Sequence, residues 1–298
     1  MQAVIPCAGK GKRMLPLTKF KPKPMLPILN KPVLEYVIEK LKASGIDEII
    51  CVIGEKGGGI RDYFSDLIFV EQRIPLGTAD AVLRCRGLIK DDFLLVWGDH
   101  LFEFDIKKTV EFHKKYRCDA TLSLQRVEHP ERIGVAEVDG SKIIGVCEKP
   151  RKPKTDIGTV GSYILSPVIF DYLEDLNVVS KGEYEFTDGI QKMIAAGCEV
   201  RGRFVRKWRK NLTTPFDLLE VNLRFLNKKK KKFLYGENCK IDSDVHNSVI
   251  GNNCSLKNCE IEDSLILDDV EIKNSKIKGS VINYKSRLSG MEVIDEIV

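Results

Sequence analysis

Ala3-Val4-Ile5-Pro6-Cys7-Ala8-Gly9-Lys10-Gly11-Lys12-Arg13-Met14 opens with a short apolar run and passes directly into glycine-rich, basic sequence. Downstream, Val33, Leu34, Val37, Ile38 and Leu41 recur at helical spacing, and Gly45 stands where a helix C-terminus favours glycine. Ile49 to Ile53 then reads as a second buried strand. Strand, loop, helix, strand is the unit from which parallel sheets are built.

The same alternation continues. Apolar runs at Phe93 to Val96, Ala120 to Leu124 and Val160 to Leu165 are interleaved with helical stretches at Ile106 to Tyr116 and Pro167 to Leu176. The pattern predicts a doubly wound α/β domain. In such sheets ligands sit at the carboxyl ends of the strands, which singles out the loops after Ile5 and Val96.

A last helical pattern (Phe216, Leu219, Leu223, Leu226) runs into the lysines Lys228 to Lys232, which read as a solvated helix end and linker. Beyond it a sixteen-residue repeat emerges: Val249, Leu265 and Val281 fall in register, as do Ile250, Ile266 and Ile282; Leu256, Ile272 and Leu288; Ile261, Ile277 and Val293; and Ser248, Ser264 and Ser280. Aliphatic residues five or six apart, separated by Asn, Asp, Ser and Gly, predict a small β-solenoid with an aliphatic interior. The expected organisation is residues 1–227, a linker at 228–232, and a repeat domain at 233–298.

Composition narrows the function classes. Hydrophobic residues make up 43% and charged ones 31% of the 298 positions, as in an ordinary globular protein and unlike a disordered chain. No apolar stretch approaches the ~18 residues of a membrane span and no signal-peptide pattern opens the chain, so a cytoplasmic protein with no membrane partner is expected. Nine cysteines without a C-x-x-C pair fit reduced thiols, with Cys254 and Cys259 as core fillers. A net charge of +5 is too small to argue for nucleic acid, yet it suits phosphorylated anions as ligands.

The opening loop continues as Leu15-Pro16-Leu17-Thr18 and Lys21-Pro22-Lys23-Pro24-Met25-Leu26-Pro27. Glycines let backbone N–H groups turn inward around phosphate oxygens, and Lys12 and Arg13 add positive charge that suits a polyphosphate. It is neither the G-K-[ST] phosphate loop nor the dinucleotide G-x-G-x-x-G, since position 14 is methionine. Together, these segments resemble the signature of the sugar-phosphate nucleotidyltransferases, over about residues 1 to 227. That resemblance implies a Rossmann-like mixed sheet, a left-handed β-helix for the tail, and transfer of a nucleotidyl group from UTP or dTTP to glucose 1-phosphate or N-acetylglucosamine 1-phosphate, with release of pyrophosphate.

Carried over residue by residue, the resemblance gives Ala8, Gly9, Gly11, Lys12 and Arg13 to the triphosphate and Lys23 to the α-phosphate and incoming sugar phosphate. Lys12 stands where the family usually has threonine. Gln72, with Pro75-Leu76-Gly77-Thr78-Ala79, resembles the base-reading segment, and a glutamine amide can pair with both a donor and an acceptor on uracil or thymine. Asp99, in Val96-Trp97-Gly98-Asp99-His100, would hold Mg²⁺. Arg13, Lys23 and Asp99 form the implied catalytic set. Gly134, Glu148, Lys149 and Gly161 resemble the sugar-phosphate half: Glu148 for sugar hydroxyls, Lys149 for the phosphate, the glycines for close backbone approach. In Glu185-Phe186-Thr187-Asp188, Thr187 or Asp188 could cap the next helix.

One departure stands out. The second metal ligand of the family is an aspartate in W-x-D-x-G-T-P, whereas this chain reads Trp208-Arg209-Lys210-Asn211-Leu212-Thr213-Thr214-Pro215. Asn211 keeps an oxygen for the cation and gives up a charge, a change shared with the N-acetylglucosamine-1-phosphate uridyltransferases. Two rivals remain open: a non-catalytic regulatory or assembly subunit that keeps the pocket, and an acyltransferase in the tail with His246 as base. The tail is otherwise expected to support a homo-oligomer.

Overall fold

The computed structural model describes residues 1–176 and 183–298. The chain divides into two compact units that are not collinear with the sequence: residues 1–9 with 36–209, and residues 10–35 with 210–298.

The first unit is built on a nine-stranded sheet. Its strands are β1 (Gln2–Pro6), β2 (Ile49–Ile53), β3 (Ile68–Glu71), β4 (Phe93–Val96), β5 (Ala120–Arg126), β6 (Val135–Asp139), β7 (Lys142–Cys147), β8 (Ile157–Leu165) and β9 (Val200–Phe204), in the spatial order β3-β2-β1-β4-β8-β5-β9-β7-β6. The β3-β2-β1-β4 half is parallel, and β8 enters antiparallel to both β4 and β5. The sheet is therefore mixed, as the resemblance implied.

β2, β4 and β8 are buried along their whole length. Strands covered on both faces read as continuous apolar runs, which is why these were visible in the sequence. β3, β6, β7 and β9 were not among the expected strands. They carry half-buried or charged residues such as Glu71, Glu137, Lys142 and Arg201, and so lack that signature.

Helices Val33–Ala43 (α1), Gly58–Tyr63 (α2), Thr78–Leu83 (α3), Ile106–Tyr116 (α4), Ile169–Glu174 (α5) and Phe186–Ala195 (α6) complete the α/β alternation. α1 stops where Gly45 takes a left-handed φ of 81°. α5 is shorter than the expected Pro167 to Leu176. Phe170 of α5 stacks on Phe93 at 5.5 Å between ring centroids, and truncating either ring to alanine should cost about 3–5 kcal/mol.

The second unit joins residues 10–35 to helix Pro215–Lys228 (α7) and to an all-strand tail. α7 opens with a capping box in which Thr214 and Asp217 exchange hydrogen bonds, and Pro215 occupies the first turn. Its buried Asn222 amide accepts from Leu29 N at 2.8 Å and donates to Pro27 O at 3.0 Å, tying the segment before α1 to the helix.

In the tail the sixteen-residue register is reproduced as parallel strand pairing. Val249 pairs with Leu265 and Leu265 with Val281; Leu256 pairs with Ile272 and Ile272 with Leu288; Ile261 pairs with Ile277 and Ile277 with Val293. Leu256, Ile261, Ile272, Ile277, Leu288 and Val293 form one buried cluster with Cys254 and Cys259, and Val249, Leu265 and Val281 are buried as well. The separators recur for a backbone reason: Asn253, Asp269 and Lys285, then Asn258, Asn274 and Gly290, and Asn247, Asp263, Gly279 and Asp295 all have positive φ. Asn, Asp and Gly reach that region at least cost. Side-chain ladders such as Asn253 Nδ2 to Asp269 Oδ1 (2.9 Å) and Ser264 N to Ser248 Oγ (3.0 Å) link successive repeats.

Candidate functional site

Within the first unit the carboxyl ends of β1, β2 and β4 converge. Cys7 N donates to Val52 O at 2.7 Å, and a Cβ on Gly54 would lie 3.0 Å from Ala8 O. A Cβ on Gly98 would lie 2.6 Å from Cys7 Sγ, so Gly98 lets the loop after β4 lie against the end of β1. Ala8, Gly9 and Asp99 are thus brought to one end of the sheet. Asp99 Oδ1 is 3.8 Å from His100 Nε2, with 24% of its side chain exposed. The Cys7 thiol is pushed well above its ordinary pKa by its hydrogen bond with Cys51, then by burial, with the charge of Asp99 contributing. Burial and this upward shift both disfavour the thiolate.

Gln72 is buried, and its amide nitrogen donates to Gly77 O at 3.0 Å and to Asp80 Oδ2 at 2.7 Å. Both amide hydrogens are therefore engaged in this arrangement, which leaves Oε1 as the amide's acceptor. Asp80, which the sequence did not single out, orients that amide and also pairs with Arg84 Nε at 2.9 Å. Gly77 has φ of 118°, and a Cβ there would sit 2.4 Å from Tyr184 O.

Thr78 Oγ1 accepts from Phe186 N at 2.9 Å and donates to Glu185 Oε2 at 3.2 Å. One residue on, Thr187 Oγ1 donates to Glu148 Oε2 at 2.9 Å, while Glu148 Oε1 lies 2.6 Å from Lys149 Nζ. The start of α6 therefore gathers Thr78 and Glu148, residues that the sequence assigned to two different halves of the expected site. The expectation that Thr187 or Asp188 caps α6 is corrected: Glu185 occupies the N-cap without a side-chain cap, Thr187 and Asp188 lie within the first turn, and the Thr187 hydroxyl donates to Glu148.

A Cβ on Gly134 would lie 2.8 Å from both Glu148 Oε2 and Thr159 Oγ1. Gly161 (φ 66°) is closed over by His100 and Trp97, whose atoms would lie 2.1 and 2.4 Å from a Cβ. Burial, then the charge of Glu148, raises the pKa of Glu185, and Lys149 opposes this. Burial and Glu148 raise Asp188 as well.

In the second unit Gly11 adopts φ of 61°, where a Cβ would press on Thr18 Cγ2 at 2.9 Å and lie 3.5 Å from Lys23 Cβ. Thr18 Oγ1 donates to Gly11 O at 3.0 Å and Met14 N to the same oxygen at 2.9 Å. Gly11, Thr18 and Lys23 are packed together, and Lys12 and Arg13 are exposed on a short turn between them.

A family model for nucleotidyl transferases matches residues 2–227. The chain belongs to the nucleotidyl transferase family. This nucleotidyl transferase is 34% identical over 257 residues to the low-salt glycan biosynthesis nucleotidyltransferase Agl11 of Haloferax volcanii, covering 82% of this chain and 72% of that protein. It is 37% identical over 258 residues to the bifunctional protein GlmU of Methanococcus maripaludis, covering 85% of this chain and 59% of GlmU, so it spans less than two thirds of that relative. Its fold is that of a UDP-glucose pyrophosphorylase crystallised with UDP-glucose, with a TM-score of 0.70 at 23% identity, covering 76% of this chain and 98% of that one. The family match ends at Asn227 in α7, before the lysine run and the repeats.

The cation implied for a nucleotidyl transferase can be tested against the oxygens present. Asn211 Oδ1 is buried and lacks a hydrogen-bond partner among the described residues. Such an oxygen costs about 1–3 kcal/mol unless something occupies it, so it fits a cation or a donor group. No group of three or more His, Cys, Asp and Glu side chains among the described residues could hold a metal. A Mg²⁺ ion usually takes most of its ligands from water and substrate phosphates, so few protein oxygens are needed. No helix among the described residues is long and apolar enough to cross a membrane.

Proposed function

We propose that this nucleotidyl transferase joins UTP or dTTP to glucose 1-phosphate or N-acetylglucosamine 1-phosphate, giving a nucleoside diphosphate sugar and pyrophosphate. A phosphate oxygen of the sugar phosphate attacks the α-phosphorus; the new P–O bond forms as the bond to the β-phosphate oxygen breaks, and pyrophosphate carries away the electron pair. No general base is required, because the attacking group is already an anion at neutral pH. Catalysis rests on position and charge.

The observation that carries this reading is the fixed Glu148 carboxylate, held by Thr187 on one oxygen and Lys149 on the other beside Gly134. The family match concerns nucleotidyl transfer; this arrangement supports the reading of an acceptor half in which Glu148 takes sugar hydroxyls, Lys149 the phosphate, and the backbone at Gly134 and Gly161 lies beside the ring. Ala8, Gly9, Gly11, Lys12 and Arg13 take the triphosphate, Gln72, Gly77 and Thr78 the base, and Arg13 and Lys23 the charge that develops in the transfer. Asp99 and Asn211 are the residues that would offer oxygens to Mg²⁺, which when bound would neutralise α-phosphate charge.

Residues 1–227 are proposed as the nucleotidyltransferase domain and 228–232 as a linker. Residues 233–298 are proposed as a left-handed β-solenoid that supports a homo-oligomer, which sedimentation of the full chain tests. Nine free cysteines suit the cytoplasm. The activity is tested by Mg²⁺-dependent pyrophosphate release with UTP or dTTP and each sugar phosphate. Loss of release in Asp99→Ala and Lys23→Ala supports the assignment, and unchanged rates in both would defeat it.

A further inference from the structure

The segment carrying Arg13 and Lys23 is compact with the repeat tail rather than with the sheet that precedes it in the chain. Between those two residues, Lys21 Nζ reaches Asp268 Oδ2 at 2.8 Å and lies 5.1 Å from the centroid of the Tyr284 ring. Phe20 packs on the same ring at 5.6 Å between centroids. Further along, Asn30 Nδ2 donates to Ile250 O at 2.8 Å.

Residues 252, 268 and 284 occupy one position of the sixteen-residue register, one per repeat. At the first two the side chain closes the corner of the preceding repeat: Asn252 Oδ1 accepts from Glu237 N and Asp268 Oδ1 from Asn252 N, each at 2.9 Å. One carboxylate oxygen is enough for that task, and Asn252 performs it without charge. Asp268 spends its other oxygen on Lys21. In the third repeat the position holds Tyr284, which is 5% exposed and whose hydroxyl has no hydrogen-bond partner among the described residues. Its ring instead meets Phe20 and Lys21. The column thus departs from its structural pattern where it meets the loop.

We propose that Asp268 and Tyr284 are positioning residues for nucleotidyl transfer: the repeat tail fixes the Phe20-Lys21 turn and thereby sets Arg13 and Lys23 on the nucleoside triphosphate. The inference rests on the assignment of those two cations to the triphosphate. It gives the tail a role in the reaction that requires no second active site and no partner chain.

The test uses the full-length chain with Asp268→Asn, Tyr284→Leu and the double variant. Asn is the residue the fold itself uses at this register position in the preceding repeat, so Asp268→Asn keeps the corner and removes only the charge on Lys21. Amide hydrogen exchange over residues 15–26 should accelerate about 3-fold in Asp268→Asn, the scale of a part-exposed ion pair. It should accelerate about 10-fold in Tyr284→Leu, which loses the ring and cation contacts, while exchange in β4 and β8 stays at the parental rate. In the double variant KM for the triphosphate should rise and kcat/KM fall about 10-fold, within the range that a misplacement of an ångström produces. A merely structural role would lower the active fraction and kcat and leave both KM values unchanged. Asp268→Glu, which restores the carboxylate, should recover most of the Asp268→Asn loss. Parental exchange in the loop of both single variants overturns the anchoring, and accelerated exchange with parental KM and kcat/KM overturns the positioning. A parent chain that releases no pyrophosphate would defeat the functional assignment instead, and with it the positioning role, while the exchange comparison would still decide the anchoring.

Discussion

The Thr187 hydroxyl donates a 2.9 Å hydrogen bond to Glu148 Oε2, although the two residues lie on different elements, 39 positions apart. A hydrogen bond to a charged acceptor contributes about 1.5–3 kcal/mol. Thr187→Val should therefore let the Glu148 carboxylate rotate away from its place beside Gly134. KM for the sugar phosphate is expected to rise about 10-fold or more, with KM for the nucleotide unchanged. Pyrophosphate release at varied sugar phosphate checks this; a lower kcat with both KM values unchanged would point instead to a loss of folded enzyme and refute the role.

Asp188 gives a pH-dependent prediction. Burial, then the charge of Glu148, raises its carboxyl pKa in the folded state, so folding favours its protonated form. Between the unfolded and folded pKa values the folded chain binds more protons, and the stability due to this group is lost as pH rises through the folded value. Asp188→Asn removes the penalty. Its melting temperature should exceed that of the parent at pH 7 to 8, and the difference should shrink on acidification toward the ordinary aspartate value of about 4. Thermal melts across that range decide it, and a lower melting temperature for Asp188→Asn at pH 7 would refute it.

Two glycines separate strain from empty space. Gly161 combines a φ of 66° with His100 and Trp97 where a Cβ would be, so Gly161→Ala should cost at least the roughly 1–3 kcal/mol of a strained backbone and lower the melting temperature by several degrees. Gly58 opens α2 at ordinary φ with nothing within 4 Å of a Cβ. There alanine should be neutral or stabilise by up to about 1 kcal/mol. Calorimetry on the pair tests whether Gly161 is fixed by packing.

What the sequence disclosed follows from the range over which each interaction acts. β2 and β4 and the helix Ile106–Tyr116 have the expected limits because continuous burial or an amphipathic period is written into adjacent residues. The repeat was legible because each repeat meets the next with the same sixteen-residue offset. Asp80 behind Gln72 and Thr187 beneath Glu148 were not, since nothing in a lone aspartate or threonine specifies its acceptor. Still less could the sequence show that the Phe20-Lys21 turn packs on the tail, an ion pair 247 residues apart in the chain.

Asn211 is where sequence and structure raise the same question from opposite sides. In the sequence it stands where the family places a metal-binding aspartate, and in the structure its Oδ1 is a buried oxygen without a partner among the described residues. Asn211→Asp adds the missing charge at nearly constant volume. With a cation present the carboxylate would bind it more strongly than the amide does, so the Mg²⁺ concentration for half-maximal pyrophosphate release should fall several-fold, at about 1.4 kcal/mol for each factor of ten. Without a cation the same carboxylate would be buried and unpaired, and the apo variant should melt below the parent and regain stability as Mg²⁺ is added with nucleotide. Activity and melting temperature must therefore move in opposite directions in the variant. If both fall, and neither responds to Mg²⁺, Asn211 belongs to a hydrogen-bond donor of the substrate rather than to the cation.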